Sequence, residues 1–147
     1  MGVALLSSYR SKDPHTKVGA CIVNTKKRIV GIGYNGFPYG CDDEIYPWAN
    51  SKQNKFLDTK YPYVVHAEAN AILNSTQSLE NATLYVSLFP CNECAKLIIQ
   101  SGIKHIVYMD DKYKGEDSFV ASRRMLESAG VDLRQMDKIS VDVNGAK

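Results

Sequence analysis

Two short segments carry the residue types for metal chemistry: His66-Ala67-Glu68, and Pro90-Cys91-Asn92-Glu93-Cys94. The first follows the apolar Tyr63-Val64-Val65 and opens one expected helix; the second follows Leu88-Phe89 and opens another. A Cys-x-x-Cys pair in the first turn of a helix can share one metal ion. The free N–H groups and positive dipole of a helix start also favour the thiolate that a metal needs. Pro90 suits such a position because its fixed φ and missing N–H cost little there. One histidine and two cysteines supply three ligands, whereas tetrahedral zinc takes four. Cys21, Cys41, His15 and His105 lie at unrelated positions, so a fourth protein ligand has no motif behind it. The simpler reading is a fourth position filled by water, which makes the site catalytic. Glu68, two residues beyond the histidine, can point into the same cavity without ligating. Zinc lowers the pKa of bound water from about 16 to about 7. A carboxylate beside that water can take its proton and pass it to a substrate.

The elements that must position these groups follow from pattern and punctuation. Residues 3–9 read as a helix stopped at Ser11-Lys12-Asp13-Pro14. Residues 18–24 and 28–34 read as a strand pair joined by the polar Thr25-Lys26-Lys27, a hairpin. A turn-rich loop, Asn35-Gly36-Phe37-Pro38-Tyr39-Gly40, leads into residues 41–61, a polar insertion with scattered aromatics. Helix 66–73, strand Thr83–Leu88, helix 91–100, strand 104–109, helix 118–128 and strand 131–136 follow, with a further short strand suggested at 139–143. Strands alternating with helices after a hairpin predict an α/β fold with a mixed, largely parallel sheet covered by helices on both faces.

Size and composition set the frame. The 147 residues fit one domain, and 44% hydrophobic with 23% charged residues is ordinary for a soluble protein. A formal charge of +2 is too small to imply a nucleic-acid groove. Lys26-Lys27-Arg28 and residues 112–114 read as solvated turns. No apolar run approaches the roughly 20 residues that span a bilayer, and the start lacks signal-peptide character, so a cytoplasmic protein is expected. Apolar residues 1–6 fit a first helix that has been trimmed or that begins upstream.

The combination H-x-E followed by P-C-x-x-C, on two successive helix starts, is the signature of zinc-dependent base deaminases. The chain resembles the cytidine deaminase superfamily and, within it, the deoxycytidylate (dCMP) deaminases. The likeness covers Arg10 through Pro14, Val18-Gly19-Ala20, Gly31-Ile32-Gly33-Tyr34-Asn35-Gly36, Leu57-Asp58-Thr59-Lys60-Tyr61-Pro62-Tyr63 and Leu88 through Lys96. Gly33-Tyr34-Asn35-Gly36-Phe37-Pro38 and Tyr61-Pro62-Tyr63 point to the dCMP branch.

The resemblance implies a three-layer α/β/α sandwich around a mixed five-stranded sheet, with one zinc on His66, Cys91 and Cys94. It implies hydrolytic attack at C4 of cytosine, with Glu68 protonating N3 and then carrying a proton to the departing amine. Asn35 matches the asparagine that holds the sugar hydroxyl. The backbone of Val65 and Ala67 would read the pyrimidine edge, and Tyr113 would stack or act as a lid. For the phosphate, Arg10, Ser11, Lys12 and Lys17 are candidates, with Lys112 or Lys114 on a later loop. In the resembling family a loop like residues 34–43 binds dCTP as activator and dTTP as inhibitor at subunit contacts of a hexamer. Tyr34, Gly36, Phe37 and Asp42 are the matching positions here.

Three rival readings stand beside this one. A deaminase of wider tolerance would also take dCTP or CMP. A tRNA or polynucleotide deaminase shares the zinc signature, but the weak net charge and the dCMP-like loop oppose it. A zinc-stabilised binding module would leave Glu68 without a role.

Overall fold

The computed structural model describes residues 1–144. A first helix, α1 (Gly2–Ser8), precedes the strands β1 (Gly19–Val23) and β2 (Ile29–Tyr34). Their turn is built by Asn24, whose Oδ1 accepts from the N–H groups of Lys26 and Arg28, while Lys27 takes φ 63°. After the insertion, which carries a single 3₁₀ turn at Phe56–Asp58, come α2 (Ala67–Leu73), β3 (Thr83–Leu88), α3 (Asn92–Gln100), β4 (His105–Asp110), α4 (Asp117–Ser128) and β5 (Asp132–Gln135).

The strand order is β2-β1-β3-β4-β5. β1 runs antiparallel to both β2 and β3, and β3, β4 and β5 run parallel, with α3 and α4 as the crossovers. The sheet is therefore mixed and five-stranded as expected: β2, β3, β4 and β5 run one way and β1 runs against them. The hairpin strand β1 lies between β2 and β3 and opposes both. Residues 139–143 form no strand; Val141 is held by its carbonyl, which accepts from the Tyr9 hydroxyl at 2.6 Å.

Alternation along the strands assigns the layers. A side chain at Gly19 would run into the carbonyl of Ala4, so that face of β1 carries α1. Gly33 pairs with Ala20, the next residue along, and faces α2 on the other side. The main core lies on the α2 side, where Ile22, Leu84, Val86 and Ile106 of the sheet meet Ala71, Ala95, Ile98 and Leu126 of the helices.

α2 rests almost on the backbone of β2. A Cβ at Gly33 would lie 2.3 Å from the Ala67 carbonyl oxygen and 2.4 Å from the Ala71 nitrogen. Backbone cannot yield as a flexible side chain can, so Gly33→Ala must lift the helix that presents Glu68. Overpacking of this kind costs about 1–3 kcal/mol or more. The variant is expected to unfold at lower denaturant and to bind metal more weakly; chemical denaturation and metal titration check both.

The cleft gathers at one edge of the sheet. β3 and β4 end there, at Leu88 and Asp110, and so does β2 at Tyr34, while antiparallel β1 begins there at Gly19. Ligand sites of α/β sheets form outside the carboxyl ends of parallel strands, and both metal-motif segments arrive at that edge.

Candidate active site

His66 and Cys91 are not the first helical residues that the motif spacing suggests. Each is the residue before its helix, with extended backbone (φ −73°, ψ 156° and φ −73°, ψ 174°). Neither side chain caps its own helix. Imidazole and thiol meet in front of the two helix starts, and Cys94 joins them from the first turn of α3. His66 Nδ1 lies 3.4 Å from the sulfur of Cys91 and 3.4 Å from that of Cys94. The three donor atoms all lie within 4.8 Å of one another. Tetrahedral zinc, with Zn–N about 2.0 Å and Zn–S about 2.3 Å, requires N···S separations of roughly 3.5 Å. The donor set therefore fits zinc in type and spacing.

The protonation of the cluster points the same way. A hydrogen bond from Cys94, reinforced by His66, holds the Cys91 thiol down to about 4. The hydrogen bond with Cys91 raises His66 to about 9. Cys94, as donor to Cys91 and buried, is pushed up. The three groups share protons where a cation would replace them, since metal binding requires both thiolates and a neutral imidazole.

Beside the cluster opens a cleft of about 430 Å³ whose walls include His66, Ala67, Glu68, Cys91, Asn35 and Tyr113. Glu68 is only 4% exposed, and burial foremost pushes its carboxyl above the ordinary range. Tyr113 packs against Phe119 with ring centroids 5.3 Å apart, both on the cleft wall. Ala67 is the first residue of α2, and a first-turn N–H has no partner within its helix.

Other expected residues lie elsewhere. Val65 does not line the cleft, because its N–H and carbonyl both bond Gly36, at 2.8 and 3.0 Å. Ser11 is buried with its hydroxyl donating to the Asn35 carbonyl. Arg10 sits over the Tyr34 ring, Lys12 pairs with Asp43 at 2.6 Å, and Lys17 is exposed; none of them lines the cleft. Lys112 lies over Tyr113 and Lys114 is exposed, both off the wall. The lysines that do line it are Lys52 and Lys60, together with Asp13, Thr16 and Asn50. Of the expected effector positions, Phe37 joins an aromatic group with the insertion, packing on Trp48 at 4.1 Å and on Tyr46 at 5.7 Å. Asp42 caps the Glu44 N–H at 2.8 Å, and the Tyr34 carbonyl accepts from Asn70 at 2.8 Å.

This arrangement has counterparts among known proteins. Residues 1–110 match the family described as the cytidine and deoxycytidylate deaminase zinc-binding region. The chain is 54% identical to deoxycytidylate deaminase of Homo sapiens over 97% of its own length and 82% of the relative's. It is also 54% identical to the probable deoxycytidylate deaminase of Drosophila melanogaster, over 92% and 69% respectively. Among solved structures, dCMP deaminase from the cyanophage S-TIM5, in complex with dCMP and dUMP, superposes with a TM-score of 0.71 at 29% identity, over 90% of each chain. With a three-donor centre, a buried carboxylate beside it and this match over most of its length, the chain belongs to the zinc-binding family of cytidine and deoxycytidylate deaminases.

Proposed function

We propose that this chain acts as one catalytic domain that hydrolyses dCMP to dUMP and ammonia, with zinc held by His66, Cys91 and Cys94. The observation that carries the reading is Glu68, a carboxylate buried in the same cleft as the three donors. The named activity of relatives 54% identical to the chain supports the substrate. Zinc, when bound, supplies water acidic enough to ionise near neutral pH.

The chain's own residues do the rest. Glu68 accepts the proton of that water and delivers it to N3 of cytosine; it then takes the proton of the hydroxyl formed at C4 and delivers that one to the departing amine as the C4 carbonyl forms. Its raised proton affinity suits a group that must hold a proton and release it near neutrality. The Ala67 N–H, at the helix start, meets the pyrimidine edge without help from Val65. Tyr113 and Phe119 wall the base from solvent, and Asn35 meets the sugar hydroxyl. Lys52 at the rim, rather than Arg10, Ser11 or Lys17, is the cation for the phosphate, while Lys60 is engaged by Asp13. Lys52→Gln is expected to raise KM for dCMP several-fold and to leave deoxycytidine, which has no phosphate, unaffected.

Control by dCTP and dTTP in a hexamer belongs to the same reading. Its support is mechanical: Gly36 bridges Val65, the neighbour of His66, and Phe37 is stacked into the aromatic group. A cytoplasmic location is part of it too; no helix among the described residues is long and apolar enough to cross a membrane.

The test is to incubate zinc-loaded protein with dCMP, dCTP, CMP and deoxycytidine, with and without dCTP or dTTP as effector, and to follow loss of the cytosine chromophore. Turnover of dCMP above the other substrates is expected, and no turnover of dCMP overturns the reading. Rates indifferent to both effectors overturn the regulatory part alone.

A further inference from the structure

Three segments far apart in sequence meet at the wall of the cleft in a buried polar knot, of which the proposed reading uses Asn35 alone. Asp13 is 1%, Asn35 6% and Lys60 8% exposed, and all three line the cleft. One oxygen of Asp13 accepts from the backbone N–H groups of His15 (2.8 Å) and Thr16 (3.2 Å). The other accepts from the Lys60 ammonium and from the Asn35 amide nitrogen (3.2 Å). Asn35 Nδ2 also donates to the Thr16 carbonyl at 3.0 Å, and its Oδ1 accepts from the Val18 N–H at 2.8 Å.

From these contacts we infer that Asp13, held by Lys60, is a positioning residue that turns the carbonyl oxygen of Asn35 toward the substrate's sugar hydroxyl. The inference rests on the proposed dCMP reading. An asparagine amide has two hydrogens and two acceptor lone pairs. Both hydrogens of Asn35 are taken, by Asp13 and by Thr16. One lone pair is taken by Val18, so what remains for the cleft is an acceptor.

The opposite orientation would set Oδ1 against two acceptors and the NH₂ against the Val18 donor, three repulsive contacts in a buried place. Asp13 enforces the choice because an ionised carboxylate accepts only, and Asp13 is ion-paired with the buried Lys60 ammonium. A bare acceptor selects a donor. In dCMP the one free hydroxyl of the sugar is at 3′, so the knot reads the 3′-hydroxyl as a donor.

The experiment compares dCMP with its 3′-deoxy analogue, 2′,3′-dideoxycytidine monophosphate, on wild type, Asp13→Asn and the double variant Asp13→Asn with Lys60→Gln. An asparagine at position 13 can present either an oxygen or an NH₂ group, so the Asn35 amide is no longer held one way. The double variant buries no lone charge and carries the same test should Asp13→Asn not fold. Wild type is expected to favour dCMP in kcat/KM by about tenfold, the weight of one hydrogen bond. In the variants that preference should vanish through a higher KM for dCMP, with kcat/KM for the analogue within about twofold of wild type and zinc content unchanged.

A preference retained in the variants overturns the inference. So does an equal loss on both substrates, which marks a purely structural pair. A wild type indifferent to the 3′-hydroxyl removes the Asn35 contact, and the inference with it, while dCMP deamination stands. No turnover of either substrate by wild type sinks the dCMP reading itself.

Discussion

Glu68→Gln is expected to lower kcat for dCMP by about 10²- to 10⁴-fold, the range that positioned proton transfer contributes. Glutamine keeps the size of the side chain and a carbonyl oxygen that can still orient water. It cannot accept the water's proton or carry one to N3 and the amine. Because Glu68 is not a ligand of the His66, Cys91 and Cys94 set, zinc content should stay at the wild-type level. Folding should not suffer either. Glu68 is almost wholly buried and burial favours its neutral form, so a neutral isostere removes a cost rather than adding one. The decisive measurement is therefore a pair: kcat by loss of the cytosine chromophore, and melting temperature with bound zinc on the same sample. A kcat within twofold of wild type would remove Glu68 from the chemistry and revive a zinc-stabilised binding module.

The metal cluster was readable from sequence because its information is local. Pro90 before Cys91, and Cys94 three residues on, fix a helix start whatever the rest of the chain does. Only the role of His66 and Cys91 as the residues before the helices, rather than in them, needed coordinates. The order of strands and helices was legible for a similar reason: β3 and β4 are short runs rich in apolar residues, the first closed by Pro90 and the second by Asp110-Asp111-Lys112. The place of β1 between β2 and β3 was not, since no local pattern states which edge of a hairpin pairs onward.

Lys60 shows the limit most clearly. In sequence it is one more lysine in a polar insertion, and lysines are almost never buried unless paired. Its partner Asp13 lies 47 residues away, so neither position shows the pairing alone. Arg10, Ser11 and Lys17 were attractive because they neighbour the first strand. The Ser11 hydroxyl turns inward to the Asn35 carbonyl instead, and neither cation lines the cleft. Val65 failed on backbone bookkeeping, its donor and acceptor both being bonded to Gly36.

Removal of zinc by a chelator is expected to abolish turnover of dCMP and to lower the melting temperature, both restored by added Zn²⁺. The ligands join the starts of α2 and α3, helices that otherwise meet through small residues and the shared core. A ligand present at about 1,000 times its Kd stabilises the folded state by about 4 kcal/mol. For a domain of this size that corresponds to a shift on the order of 10 °C. His66→Ala and Cys91→Ser should reproduce the loss of activity and remove the response to Zn²⁺. Cys94→Ala should lose more stability, because Cys94 also fills the core between α2 and α3. The contrast with Glu68→Gln separates two roles for the same metal. If zinc only braced the fold, every substitution that spared the metal would spare function. If it serves the reaction, Glu68→Gln keeps the full zinc-dependent rise in melting temperature and loses turnover, whereas the ligand variants lose both.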